Sequence, residues 1–236
     1  MFFKNLPYVL PCKFCRASLA DYYFVDPVPT SGYAEWLYRI HNRVNGKLRD
    51  QKLMDTPNPS WKDIRARYTQ LLRKPCSVHA MIGWDFLFSI AYTTPCSVVT
   101  TSPMPNAPPK ESLPTPELRN RWGVMTRAER LPYIHAWWKS LPHVLPYKLW
   151  RNTWVDVVPS MPNPEKGRKA ITAWLYTAER NMCTALQEQT KHTSYSGLCS
   201  ELKIFASGCG KSRGRSVTCR SKARRMFTRK RKPDNT

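Results

Sequence analysis

An eleven-residue stretch occurs twice in this chain. Leu6-Pro7-Tyr8-Val9-Leu10-Pro11-Cys12-Lys13-Phe14-Cys15-Arg16 returns as Leu141-Pro142-His143-Val144-Leu145-Pro146-Tyr147-Lys148-Leu149-Trp150-Arg151, with seven of eleven positions identical. Phe2-Phe3-Lys4-Asn5 returns as Trp137-Trp138-Lys139-Ser140. Trp36-Leu37-Tyr38 returns as Trp174-Leu175-Tyr176, at a spacing three residues longer. Self-similarity on this scale means one supersecondary unit used twice. The chain is therefore expected to fold as two related units that share a scaffold even where their chemistry differs.

The scaffold reads as helical. Trp36, Ile40, Val44 and Leu48, with Leu37, form an apolar stripe at helical spacing, and His41 and Asn45 lie one turn apart beside it. Phe2 to Leu10 reads as the end of a helix, and Pro11 suits the first position of the next. Asp26-Pro27-Val28-Pro29 is a turn, and Ser31 is a candidate N-cap for a helix to about Leu48. Pro57-Asn58-Pro59-Ser60 interrupts the chain before a helix from Trp61 to about Arg73. Further helices are expected over Ile82–Tyr92, Arg119–Leu141 with a break at Pro132, Lys148–Val158 and Arg168–Gln189. Residues 95–116 hold seven prolines and read as an extended linker. No strand-like alternation is sustained, so the predicted fold class is all-α. The expected organisation is a first unit over 1–75, a degenerate second unit over 80–192 with the proline-rich insertion 95–116, and a basic, largely disordered tail over 193–236.

At 236 residues, 42% hydrophobic and with nine tryptophans, the chain can bury a real core. Its net charge of +22 is unevenly spread: Lys211–Lys232 carries eleven Lys or Arg and no acidic residue, half of the surplus. Such a segment can contact nucleic acid or an acidic partner through a sequence-independent charge term. Eight cysteines are too few for a disulfide scaffold of this size. Lys4, Pro7 and Pro11 interrupt the apolar N-terminal residues, so no signal peptide is read. The longest apolar stretch, Met81–Tyr92, contains Asp85 and is too short to span a bilayer. These features point to a reducing compartment, where Cys-x-x-Cys is more often catalytic or metal-binding than structural.

The two copies differ where chemistry could reside. Cys12 and Cys15 become Tyr147 and Trp150; His41, Asn42 and Asn45 become Glu179, Arg180 and Cys183. A live first copy and a dead second copy explain this, with Tyr147 and Trp150 expected to fill the volume that a ligand takes in the first. A dithiol at a helix start is also primed for reactivity, because the helix N-terminus, Lys13 and Arg16 all favour the thiolate.

Leu10-Pro11-Cys12-Lys13-Phe14-Cys15, followed by Trp36, His41-Asn42-Arg43-Val44-Asn45 and Lys47-Leu48, resembles the Erv/ALR family of FAD-linked sulfhydryl oxidases. The two-unit layout and basic tail are most similar to the sulfhydryl oxidases of giant DNA viruses. The resemblance implies a four-helix Erv-like bundle that holds FAD, and the conversion of two thiols and dioxygen to a disulfide and hydrogen peroxide. It implies catalytic Cys12 and Cys15, with Cys15 against the flavin and Cys12 exchanging with incoming thiols. Trp36, Tyr38, His41, Asn42, Val44, Asn45 and Lys47 would surround the cofactor. Cys209 and Cys219 would serve as a shuttle dithiol on the tail. The family's first helix, with Trp-x-x-Leu-His ahead of the Cys-x-x-Cys, has no counterpart before Cys12. Gly83–Tyr92 resembles it, with Phe88 in the histidine's place, and belongs by position to the second unit. The implied partners are thiol-bearing virion proteins or thioredoxin-like redox proteins, and the implied setting is the host cytoplasm or the virion; a homodimer stays open.

Two other readings compete. Cys12, Cys15, Cys76 and His79 could make a Cys₃His zinc site, but that leaves His41, Asn42, Asn45 and the repeat unexplained, so no metal is assigned. A non-enzymatic binding protein on an oxidase-derived scaffold could use Lys211–Lys232 on nucleic acid or acidic partners. Gly208-Cys209-Gly210-Lys211-Ser212 is not a phosphate-binding loop, because Phe205 stands where the first glycine is needed.

Overall fold

Proline, glycine and hydroxyl caps set the helix boundaries along this chain. The computed structural model describes residues 1–74, 81, 83–95 and 103–205. In order these form α1 (Phe2–Val9), α2 (Lys13–Val25), α3 (Tyr33–Asp50), α4 (Trp61–Arg73), α5 (Trp84–Thr93), α6 (Pro116–Arg121), α7 (Arg127–Val144), α8 (Lys148–Val157), α9 (Gly167–Ala185) and α10 (Tyr195–Leu202), with short 3-10 turns at Lys110–Ser112, Pro164–Lys166 and Lys203–Phe205. There is no strand among the described residues. The fold is all-α.

The repeat is reproduced bond for bond. The Arg16 guanidinium donates to the carbonyls of Leu10 (2.7 Å) and Pro11 (3.1 Å), and Arg151 donates to Leu145 (2.6 Å) and Pro146 (3.2 Å). The Trp36 indole donates to the Asp26 carbonyl (3.0 Å) and the Trp174 indole to Pro159 (2.8 Å). The Tyr38 hydroxyl donates to Pro59 (3.0 Å), and Tyr176 does the same to Thr193 (3.4 Å). Just beyond, Ser60 caps α4 and Ser194 caps α10. The ring of Tyr38 lies 5.4 Å from Trp61, and that of Tyr176 5.5 Å from Tyr195. Hence α2, α3 and α4 correspond to α8, α9 and α10, and α1 corresponds to the C-terminal half of α7.

Two cores result. The larger gathers Trp84, Phe88, Trp137, Trp138, Trp154, Ile171, Leu175 and Met182 with residues from α1 and α10; the smaller is Leu19, Trp36 and Ile40 with flanking aromatics. Burying each such side chain stabilises the fold by roughly 1.5–3 kcal/mol. Helix α1 ties the halves together. Phe2 stacks on Trp137 (4.9 Å) and Tyr8 on Tyr133 (3.9 Å), while Arg130 donates to the Tyr8 carbonyl and Asn120 to that of Pro7.

Several expected boundaries move. Cys12, not Pro11, is the residue at the threshold of α2, which begins at Lys13. The N-cap of α3 is Gly32 rather than Ser31; its φ of +70° is a conformation glycine takes without steric cost. The stretch expected as one helix broken at Pro132 is instead split at residues 122–126. Thr126 and Glu129 form a capping box that starts α7 afresh, and α7 runs through Pro132. Residues 103–116 are not a free linker: Leu113 is buried, Lys13 donates to the Pro103 carbonyl, and Glu117 accepts from Tyr8. Beyond residue 193 the chain is still helical. α10 buries Leu198 and Leu202, because they face α5 as a two-residue stripe that a short polar sequence hides. Cys76, His79, Cys209, Cys219 and Lys211–Lys232 lie outside the described residues.

Candidate functional site

Cys12 has extended backbone at the threshold of α2, and Cys15 falls in the first turn. Cys12 is half-buried and Cys15 is exposed. The turn before them is held shut by the buried Arg16, whose guanidinium folds back onto the Leu10 and Pro11 carbonyls. Its positive charge thereby stays beside the dithiol, together with the amide-rich end of α2, and both favour a thiolate.

Cys15, Ser18 and Tyr22 share one face of α2 at i, i+3, i+7 spacing. That face meets α3. Lys47 donates to the Ser18 hydroxyl, and the Tyr22 hydroxyl donates to the Arg43 carbonyl (3.4 Å). Burial first, then the Asp21 carboxylate, push the Tyr22 phenol up; Cys15 is near enough to add to the effect. The antiparallel arrangement sets Cys15 toward the C-terminal end of α3.

On α3 the expected cofactor residues divide. Trp36 is a core residue, packed on Phe3 and Tyr23 with its N–H bonded to Asp26, so it cannot line an open pocket. Its place on the Ile40 side of the helix, facing α2, explains this. Lys47 also points to α2. Tyr38 is turned toward Pro59 and Trp61. His41 and Val44 are exposed and Asn42 is half-buried, while Asn45 donates to Asn58 Oδ1 (3.0 Å), which also accepts from Arg49 (3.0 Å). Asn58 and Arg49 therefore belong to the same polar cluster. The sequence reading missed them because Pro57-Asn58-Pro59 reads only as a chain breaker.

The corresponding surface of α9 is closed. Glu179, in the place of His41, has no exposed surface; its carboxylate lies 3.0–3.1 Å from His192 Nδ1, and the His192 ring packs edge-on against Phe88 of α5 (4.9 Å). Met182, in the place of Val44, is 1% exposed, whereas Val44 is 37% exposed. Cys183 replaces Asn45, and burial, with Glu179 and Glu188 nearby, pushes its thiol up to about 11. It is chemically quiet. The expected plugs are only partly right. Trp150 is buried, but Tyr147 is half-buried with its hydroxyl on the Leu71 carbonyl (3.5 Å), and the groups packed over Glu179 are His192 and, behind it, Phe88 of α5.

Asn45, Asn58 and Arg49 form one hydrogen-bonded cluster with His41 one turn away, and such amide, guanidinium and imidazole groups suit a heterocycle bearing phosphates, whereas Lys47 is turned to α2. No group of three or more His, Cys, Asp or Glu arranged to hold a metal ion occurs among the described residues. No described helix is long and apolar enough to cross a membrane. No protein-family model, no curated protein and no solved structure matches this chain.

Proposed function

We propose that the first half is an FAD-dependent thiol oxidase of the Erv/ALR type. The observation that carries this is a dithiol at a helix start, bonded through Ser18–Lys47 and Tyr22–Arg43 to a helix whose polar face is open, while the sister face in the second half is packed shut. FAD, when bound, supplies a two-electron acceptor that dioxygen can reoxidise. Asn45, Asn58, Arg49, His41 and Asn42 would hold it, while Cys15 lies on the face of α2 that is turned to Lys47 and Arg43 of α3.

The dithiol chemistry belongs to the chain itself. One thiolate of an incoming protein attacks a sulfur of the Cys12–Cys15 disulfide, and its second thiolate then displaces that sulfur. The partner leaves with a disulfide, and Cys12 and Cys15 are left reduced. Returning them to the disulfide releases two electrons and two protons, which convert dioxygen to hydrogen peroxide. Coupling to dioxygen lets disulfides form against a reducing poise. On this reading the substrates are virion or redox-carrier proteins in a host cytoplasm.

The test is oxygen consumption with dithiothreitol by the full chain supplied with FAD. Cys15→Ser and Cys12→Ser are each expected to abolish turnover while retaining flavin. Turnover at the wild-type rate by either variant would refute the assignment.

A further inference from the structure

In the second half, α5 lies across α9 and α10. Leu175 and Met182 of α9, Leu198 and Leu202 of α10, and Phe205 beyond it all belong to the core that contains Trp84, Leu87, Phe88 and Ala91 of α5. The matching positions in the first half are Leu37 and Val44 of α3, then Ile64, Tyr68 and Leu71 of α4. This correspondence follows from Tyr176/Tyr38 and from Ser194-Tyr195/Ser60-Trp61.

Leu37 packs on the smaller core and Ile64 is half-buried, but Val44, Tyr68 and Leu71 keep the apolar pattern and lose the cover. Leu198 and Leu202 are 2% and 4% exposed; Tyr68 and Leu71 are 55% and 39% exposed. Leu72 is exposed as well, and α4 buries no residue at all. Yet α4 is amphipathic: Trp61, Ile64, Tyr68, Leu71 and Leu72 form one helical stripe. An exposed apolar stripe of this kind along one helix marks an interaction surface. The second half shows the shape of its occupant, a helix about the length of α5.

Charge selects the source. Helix α4 carries Lys62, Arg65, Arg67 and Arg73 against Asp63 alone; on α3, Arg39 is taken up by Asp26, Lys47 by Ser18 and Arg49 by Asn58. By helical spacing, Arg65 and Arg67 flank the α4 stripe on either side. A second copy would bring the same basic face, in a chain of net charge +22, and like-charge juxtaposition disfavours it. We propose that the exposed stripe of α4 binds an acidic amphipathic helix of a partner protein, laid along it as α5 is along α10. This rests on the comparison of the two halves and on the exposure of the α4 stripe, not on the polar face of α3.

The probe is a helix-stabilised peptide carrying the Trp84, Leu87, Phe88 and Ala91 stripe with glutamate at its other positions, titrated onto the full chain by fluorescence anisotropy. Saturable micromolar binding is expected. Tyr68→Asp combined with Leu72→Asp should weaken it by at least about tenfold. Both alter exposed residues, and unchanged helical circular dichroism will show that the fold is kept. A peptide with the same stripe but lysine at the other positions should not bind. Equal binding of the two peptides, or glutamate-peptide binding indifferent to the substitutions, would overturn the proposal. So would a dimer in sedimentation that the same substitutions dissociate, since the occupant would then be a second copy.

Discussion

The two halves of this molecule are built on one scaffold and differ in what covers it. In the second, α5 closes over α9 and α10, a glutamate and a histidine are buried together, and the one thiol on α9 is held up at about 11. In the first, the equivalents of those positions are a solvent-facing histidine, a cluster of amides, and an open apolar stripe. Under the proposed function, stability and reactivity are divided between the copies. Close packing leaves no room for a ligand, and an open face with convergent polar groups cannot contribute much to the core.

That division can be broken by paired substitutions. The largest effect is expected at Phe88, which has no exposed surface. Phe88→Ala should cost about 3–5 kcal/mol in denaturant unfolding, as aromatic truncations in a tight core do, whereas Val44→Ala on the open face should stay within about 0.5 kcal/mol. Comparable losses at the two sites would mean that the first half is as closed as the second.

The next pair is His192 and its positional counterpart Asn58. His192→Ala strands the fully buried Glu179 carboxyl and should cost about 3–5 kcal/mol, the scale for breaking a buried pair by removing one partner. Asn58→Ala removes a half-exposed acceptor and should cost no more than about 1.5 kcal/mol. It should nevertheless perturb the arrangement of Asn45 and Arg49, visible as chemical-shift changes on α3.

A smaller difference is expected between the two arginine staples. Arg16 is buried and Arg151 only partly so. Arg16→Met should therefore cost more, about 1.5–3 kcal/mol for hydrogen bonds from a charged group. Equal costs would show that the staple acts only through the shared turn.

The smallest effect concerns the start of α7, where Thr126 and Glu129 form a capping box. Burial works to raise the Glu129 carboxyl, but the Thr126 backbone amide and Lys110 outweigh it and hold it down at about 2, from an ordinary 4.5. A folded-state pKa below the unfolded one stabilises above the unfolded value and is lost as pH falls. The contribution should therefore be complete above pH 4.5 and fade toward pH 2. Glu129→Gln should flatten that acid limb of the unfolding curve, and an unchanged limb would show that the capping box does not carry it.

Much of this asymmetry was legible in the sequence. The repeat and the loss of Cys12, Cys15, His41 and Asn45 in the second copy pointed to one open and one closed half, because side chains that hydrogen-bond the turn, such as Arg16 and Trp36, recur with it. The fourth helix of each unit was only half visible. Trp61–Arg73 is long and periodic, but Tyr195–Leu202 is short, and the connection before it differs in length from that before Trp61, so the Ser60-Trp61/Ser194-Tyr195 match is hidden. Trp36 illustrates a different limit. Spacing places a tryptophan on a helix but does not say which face α2 will cover, and the burial of Trp36 is decided by α2, Phe3 and Tyr23 together. Asn58 was lost for a third reason: a residue between two prolines carries no period.

The most direct measurement is the flavin-to-chain ratio of the full protein after reconstitution with excess FAD and removal of the unbound fraction, read from visible absorbance against amino-acid analysis. One flavin per chain is expected, falling to none when His41 and Asn45 are both replaced by alanine and unchanged when Glu179 is replaced by glutamine. Two flavins per chain would contradict the closed second half, and none in the wild-type chain would contradict the flavin site on α3.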